Sequence, residues 1–193
     1  PAGAEALGAV PYVKTPQAVV DGILSLARVR ADDRLVDLGS GDGRIVIAAA
    51  RRFGTPGLGV EIDPTLVTLS NERAAAAGVS HLARFVAQDL FETDLRDATV
   101  VTLYLLPDVN LALRPRLLDM LAPGARVVSH DWTMGDWRPD DTLIVPAPDK
   151  PVGREKFSRL MLWIVPAKGA GRWQDRIDGL DTPVVVTLHQ RFQ

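Results

Sequence analysis

Three glycines at alternate positions follow an apolar run that carries an acid, and a helical pattern comes next: Asp37, Gly39, Gly41 and Gly43. Glycines with this spacing let the backbone turn sharply and approach a ligand closely, and the N–H groups that open the next helix face an anionic group. A dinucleotide fingerprint needs its third glycine three positions after the second. Arg44 occupies that position, so the motif disfavours NAD and predicts another nucleoside cofactor.

A second acid follows about 20 residues after the glycine loop, where a carboxylate typically accepts hydrogen bonds from a ribose diol. This acid is Glu61, at the end of the apolar run 57–61. Asp63 is its rival, but Asp before Pro64 is typical of a helix N-cap and first helical residue. We therefore expect Glu61 to bind the ribose. The neighbouring Ile62 is expected either to lie on one face of an adenine or to pack in the core.

A third apolar run ends in Asp89, whose carboxylate can accept a hydrogen bond from an adenine amino group. The alternative for Asp89 is a cap on a helix or loop, a common role for a single acid after a strand. Asp37, Glu61 and Asp89 each follow an apolar run, and this repeated arrangement is more specific than any one of its members. Together they predict one cofactor site built from three strand ends.

Two later apolar runs also end in polar side chains, where open α/β sheets bind their ligands. Tyr104 ends the first of these runs, and His130 and Asp131 end the second. Tyr104 can orient an amine, or it can pack on the core as a strand-end aromatic residue. His130 and Asp131 can take a proton or steer a cationic substrate, or they can form a structural pair.

Helical and strand-like patterns alternate along the chain, which is typical of a parallel sheet covered on both faces. Thr15 and Pro16 predict the start of the first helix, as N-cap and first-turn residue. Helical patterns lie on either side of Pro115, and 157–165 and 184–189 are strand-like with no helix pattern between them. The expected fold is a doubly wound, mostly parallel α/β sheet with an antiparallel C-terminal hairpin and helices on both faces.

One domain covering residues 1–193 accounts for the length and the apolar content. Within it we expect an N-terminal arm at 1–14 and a long substrate-side loop at 133–156, since loops of such length are usually functional. A proline-stiffened connection without substrate contact is the alternative for that loop.

The composition argues against several classes of function. A net charge of -2 disfavours a protein that binds a nucleic-acid backbone, which needs an excess of Lys and Arg. The chain has no Cys and three dispersed His, so we expect no metal site. No apolar run is long enough to predict a membrane span. No signal peptide is visible in the sequence, so we expect a cytoplasmic protein. Because the chain begins at Pro1, a removed leader or a missing membrane anchor is the alternative.

Three segments of the chain together resemble a known family: 12–16, 37–44 and 129–131. Their acid-led Gly-x-Gly-x-Gly motif is similar to that of the Rossmann-like, or class I, methyltransferases, which use S-adenosylmethionine. The set as a whole looks like the bacterial relatives of the mitochondrial protein-lysine methyltransferases that modify ATP synthase subunit c. The resemblance implies a seven-stranded sheet and S-adenosylmethionine as the cofactor.

The same resemblance implies roles for individual residues around the cofactor. Tyr12 and Thr15 would lie near its methionine end. Asp89 would accept from the adenine amino group, and the backbone N–H of Leu90 would meet a ring nitrogen. These roles extend the site beyond the glycine loop, to the segment before the first helix and to the end of the third strand.

The resemblance implies N-methylation of a protein lysine, by in-line attack of the amine on the sulfonium methyl. Many N-methyltransferases carry an Asn- or Asp-Pro-Pro-aromatic motif after the fourth strand, which holds a planar nitrogen. This chain has Tyr104 there without that motif, so amide and nucleobase nitrogens are disfavoured as acceptors. Tyr104, His130 and Asp131 are the candidates for orienting the amine or removing its proton. A small-molecule N- or O-methyltransferase and a non-catalytic cofactor-binding module are the alternatives.

Overall fold

The computed structural model describes residues 12–169, 171–175, 184–190 and 192, so that 1–11 of the expected N-terminal arm lie outside the described residues. The helices and strands of the described part follow one another in this order: α1 (Gln17–Leu26), β1 (Leu35–Leu38), α2 (Arg44–Phe53), β2 (Gly57–Glu61), α3 (Pro64–Ala76), β3 (Ala83–Ala87), a 3₁₀ turn (Leu90–Glu92), β4 (Val100–Leu103), α4 (Pro107–Met120), β5 (Arg126–His130), β6 (Asp141–Pro146), β7 (Phe157–Ile164), β8 (Gly171–Asp175) and β9 (Val184–Leu188). None of the helices within these residues is both long enough and apolar enough to cross a membrane.

Seven of the described strands form one sheet in the order β3-β2-β1-β4-β5-β7-β6. Strands β1 to β5 are parallel, whereas β7 is antiparallel to both of its neighbours. This arrangement confirms the doubly wound, mostly parallel sheet expected from the sequence. The chain order reverses between β1 and β4, the place where doubly wound sheets bind their ligands.

Helices cover both faces of the sheet because alternate residues of its central strands point to opposite sides. Leu35 and Val100 pack in a core with α1, α2 and α3. Val36 and Val101 pack in a second core with α4. Since both faces are covered, the polar groups that can meet a ligand are left at the strand ends.

The first helix begins one residue later than expected. Pro16 is the N-cap, with an extended backbone (ψ 150°) and no side-chain cap, so the expected N-cap role of Thr15 is wrong. The carbonyl of Pro16 accepts hydrogen bonds from the N–H groups of Val19 and Val20 and closes the first turn. Thr15 is buried instead, and its position brings it to the glycine loop.

Helix α4 continues through Pro115, so the expectation of two separate helical segments is wrong. A proline inside a helix removes one backbone hydrogen bond and crowds the preceding turn. Here the helix buries apolar side chains on both sides of the proline: Val109, Leu113 and Leu117. Packing of this stripe on the sheet outweighs the local preference of proline.

One of the two edge strands of the sheet is β6, which lies inside the segment expected to be a loop. Most of its residues are exposed, and an exposed edge strand that ends in proline gives little apolar alternation to recognise. An antiparallel C-terminal hairpin is present, but it pairs β9 with β8 apart from the large sheet. The other strand-like run, 157–165, forms β7 and pairs with β5 and β6 instead. Trp137, also in the expected loop, is a core residue that is 1% exposed and packs on Trp163.

Candidate functional site

The predicted site residues lie at one edge of the sheet, because the carboxyl ends of adjacent parallel strands meet there. They follow β1, β2, β3, β4 and β5 in this way: Gly39, Gly41 and Gly43 after β1, Glu61 and Ile62 at the end of β2, Asp89 and Leu90 after β3, Tyr104 after β4, and His130 and Asp131 at the end of β5.

The loop after β1 needs its glycines. Gly39, Gly41 and Gly43 have φ angles of +79°, +52° and +78°, which L side chains rarely adopt. A β-carbon on Gly41 would lie 2.6 Å from Cε2 of Tyr12, and one on Gly43 would lie 2.7 Å from Cζ of Phe85. The loop is therefore closely packed, with the Tyr12 ring against Gly41 and Gly43 as the N-cap of α2.

Asp37 is a buried acid in the middle of this edge of the sheet. The hydroxyl of Thr102, its register partner on β4, donates to Oδ1 at 2.6 Å. Burial raises the pKa of Asp37 to about 7; the Thr102 hydrogen bond opposes the rise, and the negative charges of Glu61 and Asp42 add to it. A ligand that brought a positive charge to this carboxylate would be favoured.

Glu61 connects the end of β2 to the glycine loop. Its Oε2 accepts from the N–H of Gly41 at 2.9 Å, and its Oε1 accepts from the N–H groups of Ile62 and Asp63 at 2.8 and 3.1 Å. A carboxylate has about four acceptor positions, so Oε2 keeps room for a ligand hydroxyl. Asp63 is the N-cap of α3 and accepts from the N–H of Thr65 at 2.7 Å, as expected.

The residues expected at an adenine lie at the next two strand ends. Ile62 is 66% exposed, so packing in the core is wrong for its side chain. Asp89 caps the 3₁₀ turn and accepts from the N–H of Phe91 at 2.8 Å. The cap alternative is therefore realised, and it is compatible with ligand binding because a carboxylate accepts several hydrogen bonds. The side chain of Leu90 packs against the second core.

A second buried acid, Asp42, connects the glycine loop to its surroundings. Arg44 donates to Asp42 Oδ1 at 2.7 Å from Nε, and Arg73 of α3 forms an ion pair with the same carboxylate. Arg44 also donates to the carbonyl of Thr15 at 2.6 Å. Burial alone would raise the pKa of Asp42, but the hydrogen bonds from Arg44 and Arg73 outweigh it and hold that pKa well below its ordinary value. The Asp42 network thus ties the segment before α1 to the loop.

Two aromatic rings stack at the ends of β4 and β5. The Tyr104 and His130 centroids are 3.8 Å apart with an interplanar angle of 27°. His130 is fully buried, and its Nε2 lies 2.8 Å from the hydroxyl oxygen of Ser158. Burial lowers the pKa of His130 to about 4, whereas burial and then the negative charge of Asp131 raise the pKa of Tyr104 to about 12. Near neutral pH the imidazole is uncharged and the phenol is protonated.

Asp131 is held in the left-handed region, with φ +64°, which Asp tolerates better than most residues. Its backbone N–H donates to the carbonyl of Arg159 at 2.7 Å, and its Oδ1 accepts from the N–H of Arg159 at 3.0 Å. Its Oδ2 lies 2.7 Å from Nζ of Lys150. The negative charge expected to steer a cationic substrate is therefore paired with a lysine of the protein.

Sequence reasoning missed three of these residues for different reasons. Asp42 stands inside the glycine motif, so its place between two loop glycines was an available signal. Thr102 could be found by aligning β4 beside β1, since the two strands place it against Asp37. Lys150 carries no local signal, because its burial depends on the approach of a distant segment to β5.

Comparison with known proteins identifies the family. The family model of the ANTKMT methyltransferase domain matches residues 37–141, more than half of the chain. The protein-lysine N-methyltransferase of Saccharolobus islandicus is 43% identical over 137 residues, 70% of this chain and 85% of that protein. The adenine nucleotide translocase lysine N-methyltransferase of Mus musculus is 42% identical over 130 residues, 67% of this chain and 56% of the mouse protein. The chain spans about half the length of this mouse relative.

A solved structure extends the match over most of the chain. The RNA methyltransferase from Salinibacter ruber, in complex with S-adenosyl-L-homocysteine, is 48% identical and has a TM-score of 0.72. The match covers 88% of this chain and 100% of that one. These findings confirm the fold and the family resemblance that the strand-end motifs predicted. The chain belongs to the ANTKMT methyltransferase domain family.

Proposed function

We propose that this methyltransferase takes its methyl group from S-adenosylmethionine and transfers it to the side-chain nitrogen of a protein lysine. The observation that carries the proposal is the arrangement of two groups of residues on one sheet edge. Asp37, the glycine loop and Glu61 lie at the carboxyl ends of two neighbouring strands, and the Tyr104–His130 stack lies at the ends of the next two. The naming of the archaeal and mouse relatives as lysine N-methyltransferases supports lysine as the acceptor.

The residues after β1, β2 and β3 fit this cofactor. The Tyr12 ring lies directly against Gly41, where a β-carbon would clash with it, and the carboxylate of Asp37 lacks a cationic partner among the described residues. The hydroxyl of Ser40 is buried, with no hydrogen-bond partner in the described part of the chain. Asp37 would face the positively charged methionine end, Glu61 would accept from the ribose, and Ser40 would gain a partner. Asp89, Leu90 and Ile62 would contact the adenine, with Tyr12 and Thr15 covering the methionine end.

The residues after β4 and β5 would hold the acceptor. S-adenosylmethionine supplies a methyl group activated by a sulfonium. The protein therefore has to hold a neutral amine in line with the bond between the sulfur and that methyl group. A lysine has an ordinary pKa of about 10.4, so its proton must leave before attack or burial must lower its pKa. The protonated phenol of Tyr104 can accept a hydrogen bond from the amine and orient it. His130 is fully buried, so we assign it to supporting the Tyr104 ring.

RNA is a second candidate acceptor, because the Salinibacter ruber structure is that of an RNA methyltransferase. The chain has a net charge of -2, whereas an RNA-binding surface needs excess positive charge to neutralise phosphates. We therefore place protein lysine first and RNA second.

The test is transfer of a labelled methyl group from S-adenosylmethionine into bacterial membrane and soluble extracts, with the Gly41→Val variant as the inactive control. We expect protease to remove the label and ribonuclease to leave it in place. Acid hydrolysis of the labelled material should release methyl-lysine. Label removed by ribonuclease would move the assignment to RNA. Label only in small molecules, or cofactor binding without any transfer, would support one of the two alternative functions and contradict a lysine acceptor.

We expect Asp37 to lower the stability of the ligand-free protein above about pH 7 and to strengthen cofactor binding. Its folded pKa lies above that of a free Asp, so the folded state holds the proton more tightly and Asp37 makes stability fall as the pH rises from about 4 to 7. Asp37→Asn keeps an oxygen for Thr102 and removes the charge. We expect this variant, without ligand, to melt above the wild type near pH 8 but not near pH 4, and to bind S-adenosylmethionine more weakly. Thermal melts at both pH values and calorimetry check this; equal melting differences at both values, or unchanged affinity, would contradict it.

A further inference from the structure

Lys150 is a buried lysine beside the Tyr104–His130 stack. Its side chain is only 6% exposed, and its Nζ lies 2.7 Å from Asp131 Oδ2 and 3.0 Å from the carbonyl oxygen of Phe157. A buried ammonium group is costly unless it is paired and hydrogen-bonded. Asp131 directly follows His130, the last residue of β5, and Phe157 is the first residue of β7.

The same lysine anchors the segment that joins β6 to β7. Its backbone N–H donates to the carbonyl of Ala147 at 3.0 Å, and the N–H of Ala147 donates to the carbonyl of Lys156 at 2.9 Å. These bonds close residues 147–156 into a turn, and the Lys150 ammonium attaches that turn to Asp131. The Lys150–Asp131 ion pair therefore helps to hold part of the expected substrate-side loop against the candidate acceptor site.

Burial has the largest effect on the pKa of His130 and lowers it, and the ion pair adds two smaller, opposing charge effects. Tyr104 faces the imidazole from the end of β4, and Ser158 contacts it from β7. Asp131 Oδ2 lies 3.5 Å from His130 Nε2 and favours the protonated ring. The positive charge of Lys150 opposes this effect. The lysine therefore offsets part of the effect of a carboxylate that favours a positive charge on the imidazole.

We infer that Lys150 is a positioning residue for methyl transfer, which pairs with Asp131 beside the His130 ring under Tyr104 and holds segment 147–156 at the site. The inference rests on the proposed function, which places the acceptor amine beside Tyr104. The sulfonium of the cofactor and the ammonium of the substrate lysine both carry positive charge when they bind. A positive imidazolium next to them would disfavour both, because like charges in a poorly hydrated site repel strongly.

Lys150→Met tests this with Lys156→Met as the matched control, since Lys156 is an exposed lysine of the same turn. NMR titration of the ligand-free protein follows His130, assigned by its loss in His130→Asn. We expect the His130 titration to move to higher pH in Lys150→Met and to stay in place in Lys156→Met. The kcat/KM for the acceptor should fall in Lys150→Met. Below the midpoint of the His130 titration in this variant, the loss should deepen by up to about tenfold for each pH unit.

A double variant, Lys150→Met with Asp131→Asn, distinguishes the loss of charge from the loss of packing. Its His130 titration can also be measured if the single variant does not fold. It removes both charges, so the His130 titration should return to the wild-type position or below it. An unmoved His130 titration in Lys150→Met, or a double variant whose titration stays at higher pH, would overturn the inference. The NMR result needs no acceptor, so it stands or fails independently of whether the acceptor is a protein lysine.

Discussion

Gly41→Val is expected to abolish measurable binding of S-adenosylmethionine. Gly41 has φ +52°, where a β-branched residue is strained, and its added β-carbon would lie 2.6 Å and 2.8 Å from Cε2 and Cδ2 of Tyr12. The valine therefore disturbs both the loop and the ring that covers it. Isothermal titration calorimetry should show affinity weakened by at least about a hundredfold, equivalent to about 2.7 kcal/mol.

Gly54→Val is the matched control for that variant. Gly54 also has a positive φ, +70°, but it lies at the C-terminal end of α2 with nothing within 4 Å of an added β-carbon. It incurs similar backbone strain without meeting a neighbour, so it should lower the melting temperature and leave cofactor affinity unchanged. Wild-type affinity in Gly41→Val, or an equal loss in both variants, would contradict a specific role of the loop.

Glu61→Ala is expected to weaken cofactor binding by about 1.5–3 kcal/mol, which is the usual contribution of a hydrogen bond to a charged group. Two effects combine in this variant. The ribose loses its acceptor, and the glycine loop loses the carboxylate that accepts from the N–H of Gly41. Calorimetry measures the affinity, and Glu61→Gln, which keeps a neutral acceptor oxygen, should lie between the wild type and Glu61→Ala.

The rival acid provides the control for Glu61. Asp63 caps α3 through the N–H of Thr65, so Asp63→Ala should cost about 0.5–2 kcal/mol of stability and leave the affinity for cofactor unchanged. If Asp63→Ala weakened binding and Glu61→Ala did not, the ribose would be assigned to the wrong carboxylate.

Two buried acids at the glycine loop have different roles: one stabilises the loop, and the other is placed to bind the ligand. Asp42 has two arginine partners, and they keep its carboxylate charged and hold the loop in place. Asp37 has a hydroxyl donor and acidic neighbours, and its charged form is disfavoured without ligand. The first acid is satisfied by the fold, whereas the second gains a partner when a cationic ligand binds. The raised pKa of Asp37 is thus of the kind that marks functional sites.

The sequence predicts the strands at the site well because their signals are local. An apolar run, an acid and a glycine turn all lie within about ten residues, and β1 and α2 lie on either side of that turn as the pattern predicts. The carboxyl ends of parallel strands then bring Asp37, Glu61 and Asp89 to the same edge without further information.

The features that the sequence does not predict depend on distant contacts. Pro115 stays helical because α4 packs on the sheet along its whole length. Strand β6 forms because β7 offers it an edge, although its own residues are largely exposed. The burial of Lys150 likewise requires segment 147–156 to meet Asp131. In each case tertiary packing supplies what the local pattern lacks.

The most direct test of the account is a crystal structure of the protein with S-adenosylhomocysteine, the product left after methyl transfer. We expect the ribose hydroxyls on Glu61, the adenine beside Ile62 and Asp89, and the sulfur directed toward Tyr104. A ribose on Asp63, or a sulfur directed away from Tyr104, would contradict it.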